Sequence, residues 1–289
     1  PPPPIPLTPY SFHPPRQQVA QPRASLPHVS TLRNASPTMS TFSSNMVTRM
    51  ENDDHDLRYM AVSDLKRELE SDGFPCRPSD ASHLVNGTVR LLGDSSRDVR
   101  ALAVDVFPLL VKVYGTNAVR SLIPALTSNM LSEKEELRDV SAMGLSVIVT
   151  ELAIDSPDAT LVCELAIGPL VQGLRSNNSD VNIRALEVTS AVLAKFCARV
   201  VDAHKVLLDA LLSLTDAPRE TVRKHTVTSI GYLTASLSPD LFSHLFDYLV
   251  DTLADNGASG TKRKTLVACL AAVTDTVGPR VAQRLGDII

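Results

Sequence analysis

Four cysteines and seven histidines are the side chains of this 289-residue sequence best suited to nucleophilic or metal chemistry. Their spacing supports neither. Cys76, Cys163, Cys197 and Cys269 are too far apart for a CxxC pair, and an even count does not imply disulfides in a chain this long. Cys76 lies in the loop GFPCRP, where Arg77 is its one basic neighbour, and an activated thiolate needs a stronger positive field. The other three cysteines fall on apolar helical faces and read as small core residues, as in a reduced intracellular protein. His13, His28, His55, His83, His204, His225 and His244 include no pair placed as ligands on one helix. Each reads as a surface or half-buried residue. Phosphate-cradling glycine loops, HExxH and GxSxG are all missing from the sequence. No catalytic residue, cofactor or metal is therefore expected, and the chain reads as a binding protein.

Charge narrows the choice of partner. The formal net charge is −4, and residues 1–38 hold three Arg and no acid, which leaves −7 on the remainder. A mildly acidic body argues against nucleic acid, whose phosphates call for a dominant basic face. The basic cluster KRK at 262–264 is too short to change that. The acidic runs ENDDHD (51–56) and EKEE (133–136) suit the positive ends of helices. No run of 18 apolar residues suggests a membrane span.

The elements follow from hydrophobic periodicity. Residues 1–38 contain 11 of the 20 prolines and are expected to form a disordered tail. Met39 stands where the folded pattern begins and reads as a start. From Phe42 onward apolar residues recur at helical spacing. In NMLSEKEELRDVSAMGLSVIVTEL (129–152) the stripe comprises Leu137, Val140, Leu145, Ile148 and Leu152, with Ser141 and Gly144 on the same face. Ser132 and Glu135 have the spacing of a capping box. Gly144 in mid-helix costs about 1 kcal/mol relative to Ala, which close helix–helix approach would explain.

The outline of this segment recurs. DLRYMA (56–61), DVRALA (98–103), ELRDVS (136–141), DVNIRA (180–185), TVRKHT (221–226) and a degenerate KRKTLV (262–267) share an acid or polar residue, an apolar residue, a basic or amide position and a small residue. Their third positions, Arg58, Arg100, Arg138, Asn182, Arg223 and Lys264, are separated by 42, 38, 44, 41 and 41 residues. A period near 40 indicates helix-pair repeats of the HEAT or armadillo kind. Each copy follows another apolar helix, such as VRSLIPALTSNML (119–131) or LFSHLFDYLVDTL (241–253). Pro157 and Pro239 fit first helical turns, whereas Pro124 and Pro169 are expected to kink first helices. The Asp and Arg of the motif are expected to form a ladder between adjacent repeats. The predicted fold is all-α: a HEAT-repeat solenoid of antiparallel pairs in a right-handed superhelix over 39–289. Six pairs fit, and GPRVAQRLGDII opens a seventh, as in a fragment of a longer array.

LSEKEELRDVSAMGLSVIVTEL, HDLRYMAVSDLKRELE (55–70), TVRKHTVTSIGYL (221–233) and CLAAVTDTVGPRVAQRLGDII (269–289) closely resemble the amino-terminal repeats of the cullin-associated and neddylation-dissociated protein family. The resemblance runs from Phe42 to Ile289 and excludes the proline-rich tail. It implies a scaffold whose solenoid wraps an unmodified cullin–RING ubiquitin ligase core, touching the cullin carboxy-terminal region and its RING subunit. It also implies a role in ligase assembly and substrate-receptor exchange, and a location in cytoplasm and nucleus. The part of the family that displaces adaptors has no counterpart here. Six residues off the apolar stripe of the second helices are the candidate contacts: Arg100, Asp139, Glu187, Lys224, His225 and Lys264. Two rival readings use the same fold. A tubulin-binding TOG array would be expected to carry a Trp and basic residues in its turns, but the first turn here is the acidic MENDDHD. A nuclear-transport HEAT receptor is the other.

Overall fold

The computed structural model describes residues 40–72, 74, 77–255 and 257–288, with backbone alone from 285. The tail 1–38 and Cys76 lie outside the described residues. Within them the chain forms twelve α-helices and no strand: α1 (Thr41–Met50), α2 (His55–Glu70), α3 (Ala81–Arg90), α4 (Arg97–Tyr114), α5 (Thr116–Met130), α6 (Glu135–Glu151), α7 (Pro157–Leu174), α8 (Ser179–Phe196), α9 (His204–Ser213), α10 (Glu220–Thr234), α11 (Pro239–Ala254) and α12 (Gly260–Ile288). They pair consecutively. First helices α1, α3, α5, α7 and α9 pack side by side in one layer, and second helices α2, α4, α6, α8, α10 and α12 in the other. The result is an all-α solenoid.

One helix pair cannot cover its own apolar stripe, so each leans on the next and a single core runs through the stack. Leu65, Leu84, Leu110, Leu122 and Leu126 are sealed from solvent, each contributing about 1.5–3 kcal/mol by removal from water. Gly144 is where three helices converge. A Cβ there would lie 2.9 Å from the ring of Phe107 on α4 and 3.6 Å from Leu126 on α5. Close approach therefore does explain this mid-helix glycine. Gly173 of α7 is tighter still, 2.7 Å from the Cβ of Ala185 on α8.

Side-chain caps mark six of the helix starts. Ser40, Asp54, Ser96, Ser156, Asn178 and Ser238 each accept a backbone N–H through the side chain. Pro157 and Pro239 occupy first turns as expected. The capping box at Ser132 does not form. Ser132 Oγ accepts from Lys134 N at 3.2 Å, before the helix, and Lys134 itself is the N-cap. Pro124 and Pro169 sit inside α5 and α7, where no non-helical dihedral interrupts the helix. The interior break lies instead at Val277 (φ −136°, ψ 41°), two residues before Pro279, and divides α12. Proline disfavours helical geometry in the chain preceding it, and the turn is released there. Beyond the break the chain returns to the first-helix layer. Arg280 donates to the Leu237 carbonyl at 3.1 Å and stacks over Phe242, and Arg284 pairs with Asp247 at 2.9 Å. That is the placement expected of a seventh first helix. By length and hydropathy α12 could cross a membrane, but Leu266, Cys269 and Val273 are sealed in the core of the stack.

Candidate partner-binding wall

The recurring basic position has one job throughout the wall of second helices. Arg58, Arg100, Arg138, Asn182, Arg223 and Arg263 are each the fourth residue of their helix. Each side chain reaches back to carbonyls of the turn just before. Arg58 donates to Asn52 and Asp53 at 2.8 and 2.9 Å, Arg100 to Asp94 at 2.6 Å, Arg138 to Ser132 at 3.1 Å, and Arg223 to Ala217 and Pro218 at 2.6 and 2.8 Å. Asn182 does the same through Nδ2, bonding the carbonyls of Gly173, Leu174 and Ser176. In the sixth pair Arg263 bonds Asp255 O at 2.8 Å. The motif residue there is thus Arg263 and not Lys264, one position from the sequence alignment. Apart from those of Gly173 and Leu174 at the end of α7, these carbonyls lie in turns outside any helix, and the side chain supplies a donor that no helix provides. The repeated Arg is a clamp on the turn, and the expected ladder of motif Asp and Arg is replaced by it.

Ion pairs between neighbouring repeats do exist, made mostly by other residues. Arg58 alone does both tasks. It donates to Asp94 of the next turn at 2.6 and 2.8 Å, with Asp94 almost sealed at 3% exposure. The Arg58 hydrogen bonds hold the Asp94 carboxyl below its ordinary range against the opposing effect of burial. Lys66 meets Asp105 at 3.1 Å across α2 and α4. Arg184 on α8 donates to both oxygens of Asp139 on α6 at 2.8 and 2.9 Å, and to Glu187 at 2.8 Å. Arg219 pairs with Asp180, whose carboxyl it holds low.

The six candidate contacts fare differently in this setting. Arg100 is turned inward and bound to its own turn. Asp139 and Glu187 are brought together by Arg184, a hub that sequence reasoning missed although its i, i+3 spacing to Glu187 was visible. Lys224 and Lys264 are exposed and line one groove between α10 and α12. His225 is half-buried on α10. Sequence reasoning also passed over exposed apolar side chains on the same layer: Tyr59, Met60, Met143, Tyr232 and Val267, between 43 and 57% exposed. Their signal was an apolar residue just off the stripe. A second groove, between α2 and α4, is lined by His55, Asp56, Tyr59, Asp98 and Asp105.

The three described cysteines are buried, as their apolar helical faces indicated. Burial pushes the Cys163 thiol up to about 11 and Cys269 up to about 12, and raises Cys197 as well. These thiols are held protonated, the opposite of activation. His204 is fully buried, unlike the surface or half-buried residue expected. Its Nε2 lies 2.9 Å from the Cys197 carbonyl and 3.6 Å from Cys197 Sγ. Among the described residues no three His, Cys, Asp or Glu side chains are grouped as metal ligands.

Comparison with known proteins places this wall in a family. No family model matches the chain. Cullin-associated NEDD8-dissociated protein 2 of Mus musculus is 34% identical over 252 residues, covering 85% of this chain and 20% of that protein. Cullin-associated NEDD8-dissociated protein 1 of Arabidopsis thaliana is 31% identical over 244 residues, covering 83% and 20%. The chain thus spans about a fifth of the length of the relatives it matches. A solved structure from work on microtubule plus-end tracking by XMAP215, CLIP-170 and EB1 shares the fold, with a TM-score of 0.57 at 17% identity, over 81% of this chain and 91% of that one. With relatives 34% and 31% identical over more than four-fifths of its length, the chain belongs to the cullin-associated NEDD8-dissociated protein family.

Proposed function

We propose that this chain is a binding segment of a regulator of cullin–RING ubiquitin ligases, and that its second-helix wall lies along the cullin carboxy-terminal region and the RING subunit. One observation carries the reading: relatives whose names state association with cullins match more than four-fifths of the chain. The physical character of the wall agrees. It is extended, it mixes exposed aromatic and aliphatic side chains with charge, and the three buried thiols among the described residues are held protonated. Stable protein complexes bury about 1,200–2,000 Å² in total, an area that a solenoid can supply across several repeats. The segment performs no bond-making. Assembly and exchange of substrate receptors belong to the full-length regulator, to which this wall contributes grip.

The 289-residue chain, immobilised, should retain an unmodified cullin–RING complex and pass tubulin. Retention of tubulin with no cullin signal removes the proposal. The tubulin reading has little support from the first turn, where Asn52 and Asp53 spend their carbonyls on Arg58 and the exposed side chains are acidic.

A further inference from the structure

We infer that the groove between α10 and α12 is a docking site for an acidic segment of the partner protein. This rests on the binding reading above and adds the chemistry of one contact. The groove, of about 350 Å³, is lined by Glu220, Lys224 and Val227 of α10 and by Thr261, Lys264 and Ala268 of α12.

The charges along the wall mark the groove. Between α2 and α4, α6 and α8, and α8 and α10, cations on the seam meet a carboxylate from the neighbouring repeat. Between α4 and α6 no such pair forms among the described residues, but there Arg100 and Arg138 are bound to their own turns. Between α10 and α12 no such pair forms and two exposed lysines remain. Among the described residues Lys264 has no carboxylate within 4.0 Å, and Lys224 has only Glu220, one turn back on its own exposed helix face, at 2.8 Å. Such an i, i+4 pair in open solvent is weak and readily exchanged. Arg223 is occupied by its turn. Two lysines are therefore left facing one groove, on a body whose charge is otherwise negative.

The surroundings suit a peptide and not a polyanion. Val227 and Ala268 give the groove apolar lining, and Val267 beside it is 56% exposed. Tyr232, 43% exposed, continues the line of Lys224 and Thr228 along α10. From Lys224 to Tyr232 is about 12 Å of helix, the reach of about four extended residues. A segment with one or two carboxylates followed by an apolar side chain fits that order. A nucleic-acid backbone would meet two cations and then Glu220, too little for phosphate-driven affinity. The acidic α2/α4 groove, with Asp56, Asp98 and Asp105, repels the same segment and so fixes which end of the wall receives it.

The test titrates the 289-residue chain with the unmodified cullin–RING complex, and separately with a fluorescent glutamate-rich peptide containing leucine. Lys224→Glu with Lys264→Glu should weaken both at least tenfold, largely through the association rate, with helical circular dichroism unchanged. Lys224→Arg with Lys264→Arg should retain binding, and so should Arg120→Glu with Lys205→Glu, which lie on α5 and α9 in the first-helix layer, away from the wall. If the complex binds wild type and the charge-reversed variant equally, the inference fails and the cullin reading stands. If wild type does not bind the complex, the cullin reading fails and the peptide decides the groove; equal binding to wild type and variant, or none, overturns it. A single-stranded oligonucleotide that outcompetes the peptide on wild type also overturns it.

Discussion

The Arg138 guanidinium, 3% exposed, lies inside the fold and donates to the carbonyl of Ser132 at 3.1 Å, six residues back and outside the helix. The bond closes the turn between α5 and α6 in the way its counterparts close five other turns. Removing the side chain leaves the half-buried Ser132 carbonyl without its protein donor. Arg138→Met keeps the aliphatic stem and should cost about 1.5–3 kcal/mol, the range for losing a hydrogen bond to a charged group. Because a solenoid opens locally, the loss should appear first as faster amide exchange over residues 131–142. Unchanged protection there would show that the turn holds without its clamp.

Two helical glycines give opposite forecasts. Gly144→Ala drives a methyl to 2.9 Å from Phe107 and should destabilise by about 1–3 kcal/mol. Gly168 of α7 is exposed, and a Cβ there would meet nothing within 4 Å. Gly168→Ala should therefore stabilise by about 0.4–1 kcal/mol through helix propensity and a less flexible unfolded chain. Thermal melts of the two variants should move apart in sign. A loss at both positions would mean that packing around Gly168 is tighter than its geometry indicates.

These cases show what the sequence could carry. The apolar stripe and the period near 40 were legible because every pair must bury the same face against its neighbour. The recurring Arg was legible as a signal but not as a clamp, since D-x-R spacing does not say which carbonyls face the guanidinium. In KRK three cations compete for one role, and only position four of α12 selects Arg263. Off-stripe exposure was readable for Lys224 and Lys264. The capture of Asp139 by Arg184 was not, because partners 45 residues apart meet only once the variable turn lengths have set the register.

Acid should loosen the first pair of helices. Asp80, 2% exposed, accepts the Ser40 N–H at 3.0 Å and its O–H at 2.5 Å, fastening the cap of α1 to the start of α3. Burial alone would raise this carboxyl, but the Ser40 hydrogen bonds outweigh it and hold it below the ordinary value. A group depressed in the folded state contributes its stability above the unfolded pKa, about 3.9, and loses it as pH falls through the folded value. Asp80→Asn should melt several degrees below wild type at pH 6, and the gap should close toward pH 3. A gap independent of pH would assign the loss to packing and not to the charge.

The hub at Arg184 tests how far the repeats are coupled. Its pairs with Asp139 and Glu187 raise the guanidinium above its ordinary value, yet the three side chains are each about one-third exposed. Solvent screens such a pair, so the coupling expected from a double-mutant cycle of Arg184→Ala and Asp139→Ala is about 0.5–1 kcal/mol. Raising salt from 0.1 to 1 M, which shortens the screening length from about 10 to about 3 Å, should erase most of it. Asp139→Lys alone sets a cation against Arg184, and its effect on partner binding would mix a broken repeat contact with a lost interface contact. Lys224 and Lys264, which meet no cross-repeat carboxylate among the described residues, avoid that confusion. Loss of partner affinity on their reversal, with the melting temperature within about 2 °C of wild type, is the outcome that separates grip on the partner from cohesion of the stack.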